Sequence, residues 1–111
     1  MNITSETHLA AVVIRLEGEF TADEVDHFRR EVKESMSSSS SHYIIDCQVL
    51  TLIDSLGLES FLWLSDELSR QSNKLRFTNV NETVSSVFEL TRLDRVFNVH
   101  ENVEAAAKSF A

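Results

Sequence analysis

Stretches of strand character alternate with stretches of helical period four times along this chain, and that order restricts its fold more than any other feature. Residues Leu9 to Gly18, LAAVVIRLEG, are aliphatic and β-branched. Val12, Ile14 and Leu16 alternate there with Val13, Arg15 and Glu17, which predicts a half-buried strand ending at Gly18. Met1 to Thr4 is a candidate edge strand whose pattern is too short to define one. From Ala22 to Met36, Val25, Phe28, Val32 and Met36 fall at helical spacing, opposite Glu24, Arg29, Arg30, Lys33 and Glu34. Thr21 stands at the N-cap position of that helix with Glu24 as its capping-box partner, and His27 reads as solvated. A strand at His42 to Cys47, a helix from Ser55 to about Arg70 and a strand from Leu75 to Val80 follow. Asn81 caps a further helix with Val84, Val87, Phe88 and Leu90 as its apolar side. A short strand, Arg95 to Val99, precedes a last helix capped by Asn102, with Val103, Ala106, Ala107 and Phe110 facing inward. This order predicts an α/β fold with a mostly parallel sheet and right-handed crossovers. The 111 residues suit one domain, 1–111.

Within this frame the stretch Tyr43 to Leu58, YIIDCQVLTLIDSLGL, carries the most information. An apolar strand leads through a connector to Asp54-Ser55, which stands in front of the longest helical pattern. Asp is a favoured N-cap, so Ser55 falls at a helix mouth with unpaired N–H groups and the positive end of the helix dipole. A hydroxyl in that place is suited to carry a phosphate, because a helix start holds anions. The plainer account is that Ser55 only begins the helix. The helix itself is apolar on more than one stripe: Leu58, Phe61, Leu62 and Leu68 form one, and Leu56, Trp63 and Leu64 widen it. Such a helix is deeply packed or partly covered by a partner, and Trp63 is the side chain to watch, since aromatic anchors are enriched at interfaces.

Composition removes several classes of function. With 18 acidic residues against 10 basic, the formal charge is −8, which argues against general nucleic-acid binding and against attraction to an anionic membrane. No apolar run approaches the ~20 residues of a membrane span, and the N-terminus has no basic flank or apolar signal core, so the expected location is cytoplasmic. The single cysteine, Cys47, permits no internal disulfide and reads as a small buried hydrophobe. His8, His27, His42, His100 and Cys47 show no paired metal-ligand spacing, and two glycines cannot build a phosphate loop, so no metal or cofactor is expected. Ile53-Asp54-Ser55-Leu56 superficially matches a Gly-Asp-Ser-Leu hydrolase signature, but isoleucine replaces the glycine. The one histidine after it, His100, lacks an Asp in Asp-x-x-His relation, so hydrolysis is not expected. Ser37 to Ser41 is a run of serines that reads as a low-complexity connector.

The motif resembles the centre of the STAS domain family, the bacterial anti-sigma factor antagonists and their relatives. Asp46, Leu50, Ile53, Asp54, Ser55, Gly57 and Leu58 stand in matching places. Val13 to Glu19, VIRLEGE, resembles the family's second strand, and Ser86 to Phe97, SVFELTRLDRVF, its late helix and strand. The resemblance implies a small mixed β-sheet with about four helices. It implies a non-enzymatic binding protein in which Ser55 is phosphorylated by an anti-sigma factor that is also a serine kinase, with a phosphatase restoring the free form. Thr21, Asp54, Ser55, Leu56, Gly57, Glu59 and Trp63 are the expected partner-binding residues. The chain departs from the family pattern at Phe20-Thr21, where Leu-Asp is usual, and at Leu56, where a small residue is usual. It also has Ser72-Asn73 for a common Gly-Gly, and Glu59 for a small or apolar residue. These departures leave open a second branch, a STAS subunit docked on the ATPase of an ABC-type lipid-transport system or on a signalling complex.

Overall fold

The computed structural model describes residues 1–38 and 40–110. The elements are β1 (Asn2–His8), β2 (Ala11–Phe20), a 3-10 turn (Ala22–Glu24) leading into α1 (Val25–Ser38), β3 (Tyr43–Asp46), β4 (Leu50–Ile53), α2 (Ser55–Arg70), β5 (Leu75–Thr78), α3 (Glu82–Leu90), β6 (Asn98–His100) and α4 (Val103–Lys108). The sheet order is β1-β2-β3-β5-β6, with β4 paired to β2. Only β1 runs antiparallel, so the sheet is mixed, and the whole forms a single α/β domain of six strands and four helices.

Apolar parity on the strands decides which layer lies where. Ile14, Leu16, Tyr43, Ile45, Leu75 and Phe77 bury one sheet face under α1, α2 and α3. Phe20, Phe28, Phe61, Phe77, Phe88 and Phe97 form one connected set of tilted and edge-to-face pairs there, with centroids 4.6 to 6.4 Å apart. Such pairs contribute about 0.5–1.5 kcal/mol each beyond their buried area. On the opposite face Ala11, Val13 and Ile44 pack against Ala106 and Ala107 of α4.

Strand β2 serves two partners on one edge. Val12 to Arg15 pair with β3, and Gly18 to Phe20 pair with β4. The register shifts between Gly18 and Glu19, where Gly18 takes φ +106°, a left-handed value that glycine adopts without penalty. The Gly18 N–H donates to the Val49 carbonyl at 3.0 Å, so the ladder bends and continues instead of ending. Gly18 therefore does not terminate the strand, and the connector before Asp54 is itself a strand.

Other expectations shift as well. The edge strand reaches His8, and Leu9 and Ala10 form the two-residue hairpin loop instead of opening β2. Both have positive φ, 51° and 74°, a geometry favoured by Asn-Gly and strained for Leu and Ala. Helix α1 continues through Ser37 and Ser38, and Ser39 of the serine run lies outside the described residues. Leu90 ends α3 exposed to solvent. His27 is half-buried and shares a hydrogen bond with Glu24 at 3.2 Å.

The end of α4 is pinned by a small aromatic cluster. His42 stacks on Phe110 at 4.4 Å, the Arg76 guanidinium lies 5.1 Å over the same Phe110 ring, and Arg76 Nε donates to Ser109 Oγ at 3.2 Å. His42 Nδ1 accepts the Lys74 N–H at 2.9 Å, which requires an unprotonated Nδ1. Burial, then the charges of Lys74 and Arg76, hold the His42 pKa below its ordinary value. The folded state thus favours the neutral ring, and stability due to His42 is full above the unfolded pKa of about 6.5 and declines as pH falls below it. Urea unfolding between pH 7.5 and pH 5 should show a smaller acid loss for His42→Gln, which keeps an acceptor for Lys74, than for the wild-type chain. Equal pH slopes would remove His42 from the account.

Candidate functional site

Two strand ends meet at the site. Their pairing runs to Phe20 opposite Ile53, and the Asp54 N–H extends it to the Phe20 carbonyl at 3.1 Å. This holds the start of the α1 turn beside the start of α2. Asp54 joins them: Oδ1 accepts the Gly57 N–H at 2.9 Å, and Oδ2 accepts the Ala22 N–H at 2.9 Å. The first is the expected N-cap of α2. The capping box expected at Thr21 does not form: its side chain makes no cap bond, and the Glu24 N–H goes to the Thr21 carbonyl at 2.9 Å. Glu24 turns away instead, to the Met1 amine at 3.1 Å and to His27, and these contacts hold its carboxyl below the usual range.

Gly57 is fixed by closeness. A Cβ there would lie 2.7 Å from the Phe20 carbonyl oxygen and 2.8 Å from Ile53 Cγ1. Any side chain would push α2 away from the strand ends, so the Asp-Ser-x-Gly spacing follows from the contact between helix and ladder.

Ser55 is the first residue of α2 and is exposed. Among the described residues its hydroxyl has no hydrogen-bond partner, and no histidine stands within bonding reach of it. Leu56 beside it is 45% exposed, and Glu59 lies one turn further on, also exposed. Thr21, Asp54, Ser55, Leu56 and Gly57 thus gather around one turn, joined by Glu59. Trp63 stands about 12 Å along α2 from Ser55, half-buried beneath α1. Arg29 and Lys33 cover its ring at 5.0 and 5.8 Å.

A buried carboxylate supports the turn from the strand side, a role that no local pattern in the sequence marks. Asp46 is 2% exposed; Oδ2 accepts from Arg15 Nε and Nη2, and Oδ1 from the Gln48 N–H and Asn79 Nδ2, all at 3.0 to 3.1 Å. Asn81 adds a brace: its Nδ2 donates to the Leu50 carbonyl at 2.6 Å while its Oδ1 caps α3. The adjacent Cys47 thiol is pushed far above its ordinary pKa by burial and then by Asp46, so it is protonated and inert. Among the described residues no group of three or more His, Cys, Asp or Glu is arranged to hold a metal ion, and no helix is long and apolar enough to cross a membrane.

A six-stranded mixed sheet with a serine opening the helix after β4 places the chain among small α/β domains of one topology. The family model described as STAS domain matches residues 2–106, and the chain belongs to that family. An anti-sigma F factor antagonist of Paenibacillus polymyxa is 21% identical over 103 residues, covering 92% of this chain and 88% of that protein. The crystal structure of a putative anti-sigma factor antagonist from Thermotoga maritima superposes with a TM-score of 0.88 at 17% identity, over 96% of this chain and 92% of that one. The anti-sigma factor antagonist SpoIIAA in its unphosphorylated form gives 0.81 at 24% identity, over 97% and 96% of the two chains. The phosphorylated form of the Bacillus protein gives 0.73 at 23% identity, over 97% and 99%.

Two substitutions test this geometry. Asp54→Ala removes both caps and should cost about 2 kcal/mol in urea unfolding, whereas Asp54→Asn, with one acceptor oxygen, should cost about half as much. Gly57→Ala should destabilise by about 1–3 kcal/mol, because the new methyl group meets backbone and core rather than solvent. Wild-type stability in Gly57→Ala would show that α2 does not rest on the ladder in this way.

Proposed function

We propose that this chain is an anti-sigma factor antagonist whose docking on its partner is switched by phosphorylation of Ser55. The observation that carries the reading is the exposed, unpartnered Ser55 hydroxyl at the first position of α2. Family membership supports it, and so do relatives described as anti-sigma factor antagonists, one known in phosphorylated and unphosphorylated forms.

The physics of the switch is local. A phosphate adds about −1.5 to −2 charge. The Ser55 and Leu56 N–H groups open the helix without intrahelical acceptors and favour an anion, while Asp54 beside the site and Glu59 a turn away oppose it. The fold tolerates the added charge because Ser55 bonds to nothing that the phosphate would break. A partner surface fitted to a neutral hydroxyl and to Leu56 meets a bulky dianion instead. In this reading the partner is an anti-sigma factor with serine kinase activity, a phosphatase reverses the mark, and the chain acts in the cytoplasm without catalysing a reaction itself. Thr21, Asp54, Ser55, Leu56, Glu59 and Trp63 form the docking face, and Gly57, expected there too, lies buried behind it where it seats α2 on the strand ends.

The exposed Leu56 beside the serine favours one other reading, a subunit held permanently on an ABC-type ATPase or signalling complex through this same face. A charge at Ser55 then acts as a fault and not as a signal.

Incubation with ATP and the kinase-type anti-sigma factor should add one phosphate by intact mass to the wild-type chain and none to Ser55→Ala. Ser55→Asp should keep the wild-type far-UV spectrum and lose about tenfold or more in affinity. Phosphate on Ser55→Ala, or undiminished binding by Ser55→Asp, would defeat the switch.

A further inference from the structure

The solvent side of α2 is less polar than a surface helix requires. Leu62 is 39% exposed and Val96, from the segment before β6, is 57% exposed. With Trp63 they line a shallow depression of about 540 Å³. Glu59 and Asp66 form its acidic ridge, and Arg29 of α1 closes the other side. Residues 55, 59, 62 and 66 follow one another at i, i+3 and i+4 intervals, so this depression continues the surface that begins at Ser55.

The cations of the α1 side face Glu59 and Asp66 across the depression without pairing to them. Arg29 and Lys33 lie over the Trp63 ring, yet neither forms an ion pair with a carboxylate among the described residues, and Arg29 Nε is buried without an acceptor. Other basic side chains, such as Arg30 and Arg92, also form no ion pair among the described residues; what sets Arg29 and Lys33 apart is that both stand over one aromatic ring and that part of the Arg29 guanidinium is buried. An aromatic ring capped by unpaired cations beside exposed aliphatic side chains fits an occupant that is both apolar and acidic.

We propose that this face receives an acidic amphipathic helix of the docking partner. Its apolar stripe covers Leu62, Trp63 and Val96, and its carboxylates lie over Arg29 and Lys33. The inference rests on the switch reading above and extends it by naming the partner's element. Ser55 to Asp66 presents a ridge of about 16 Å, enough for about three turns of a packed helix. Glu59 and Asp66 fix the orientation, since a carboxylate edge laid over them is repelled. The same chemistry explains how a modification about 12 Å from Trp63 is read. A phosphate on Ser55 adds a third anionic group to the Glu59–Asp66 ridge and repels an acidic helix lying along it, at a distance comparable with the Debye length of about 8–10 Å.

Trp63 is the only tryptophan, so the chain labelled with 5-fluorotryptophan reports this face through one fluorine resonance. Titration with the cognate anti-sigma factor should shift that resonance. Arg29→Glu combined with Lys33→Glu should weaken binding by about tenfold or more, and Leu62→Ser, at an exposed position, should weaken it with an unchanged far-UV spectrum. Lys108→Glu, on the opposite face, should leave affinity unchanged. Binding that leaves the fluorine resonance and the affinities of these variants untouched, but is abolished by Ser55→Asp, overturns the acidic-helix proposal and spares the switch. Tighter binding by the Arg29/Lys33 reversal also overturns it, because the occupant is then basic. Absence of binding by the wild-type chain overturns both.

Discussion

One carboxylate holds two helix starts together. Asp54 sits where β2 and β4 finish, and its two oxygens accept N–H groups that belong to different helical turns. Each bond alone is an ordinary cap. Together they tie the loop after β2 to the loop after β4, so the surface around Ser55 is shared by segments more than thirty residues apart in sequence. Gly57 is needed for the same reason, because the helix must approach the strand ends closely for one side chain to reach both.

Beneath this turn the polar groups are satisfied in an order that rises from the sheet. Asp46 leaves β3 with its oxygens occupied by Arg15, Asn79 and the Gln48 backbone. Asn81 then fastens the carbonyl of Leu50. A buried acceptor without its donor costs about 1–3 kcal/mol, so each of these bonds discourages any other path for the chain between β3 and α2. Ser55, Leu56 and Glu59 are exposed, and their side chains carry none of these scaffold hydrogen bonds, which suits them to the proposed recognition.

Much of this was legible in the sequence, and the failures have common causes. Caps that act within their own helix were read correctly: Asp54, Asn81 and Asn102 each accept an N–H three residues on. Thr21 failed because the turn opens as a 3-10 turn in which the Glu24 N–H bonds the Thr21 carbonyl, and the side-chain acceptor at this start, Asp54, comes from a distant segment and takes the Ala22 N–H. The strand β4 was hidden, since Leu50-Thr51-Leu52-Ile53 is four residues long and shows no clean alternation. The hairpin loop at Leu9-Ala10 was missed because neither residue carries turn chemistry, and β pairing overrides their local preference. The Asp46 cluster joins residues about thirty apart, which no local period reveals.

The two-partner pairing of β2 bears on when the proposed recognition surface comes into existence. Its closing rungs join residues separated by some thirty positions, and such contacts form only after the intervening loop has been ordered against its entropy. A fragment that spells the motif without the preceding strand has the letters of the epitope but not its shape. A partner that grips Ser55 and its neighbours, as proposed, would therefore also inspect the integrity of the whole domain, and a damaged or half-made copy would be silent.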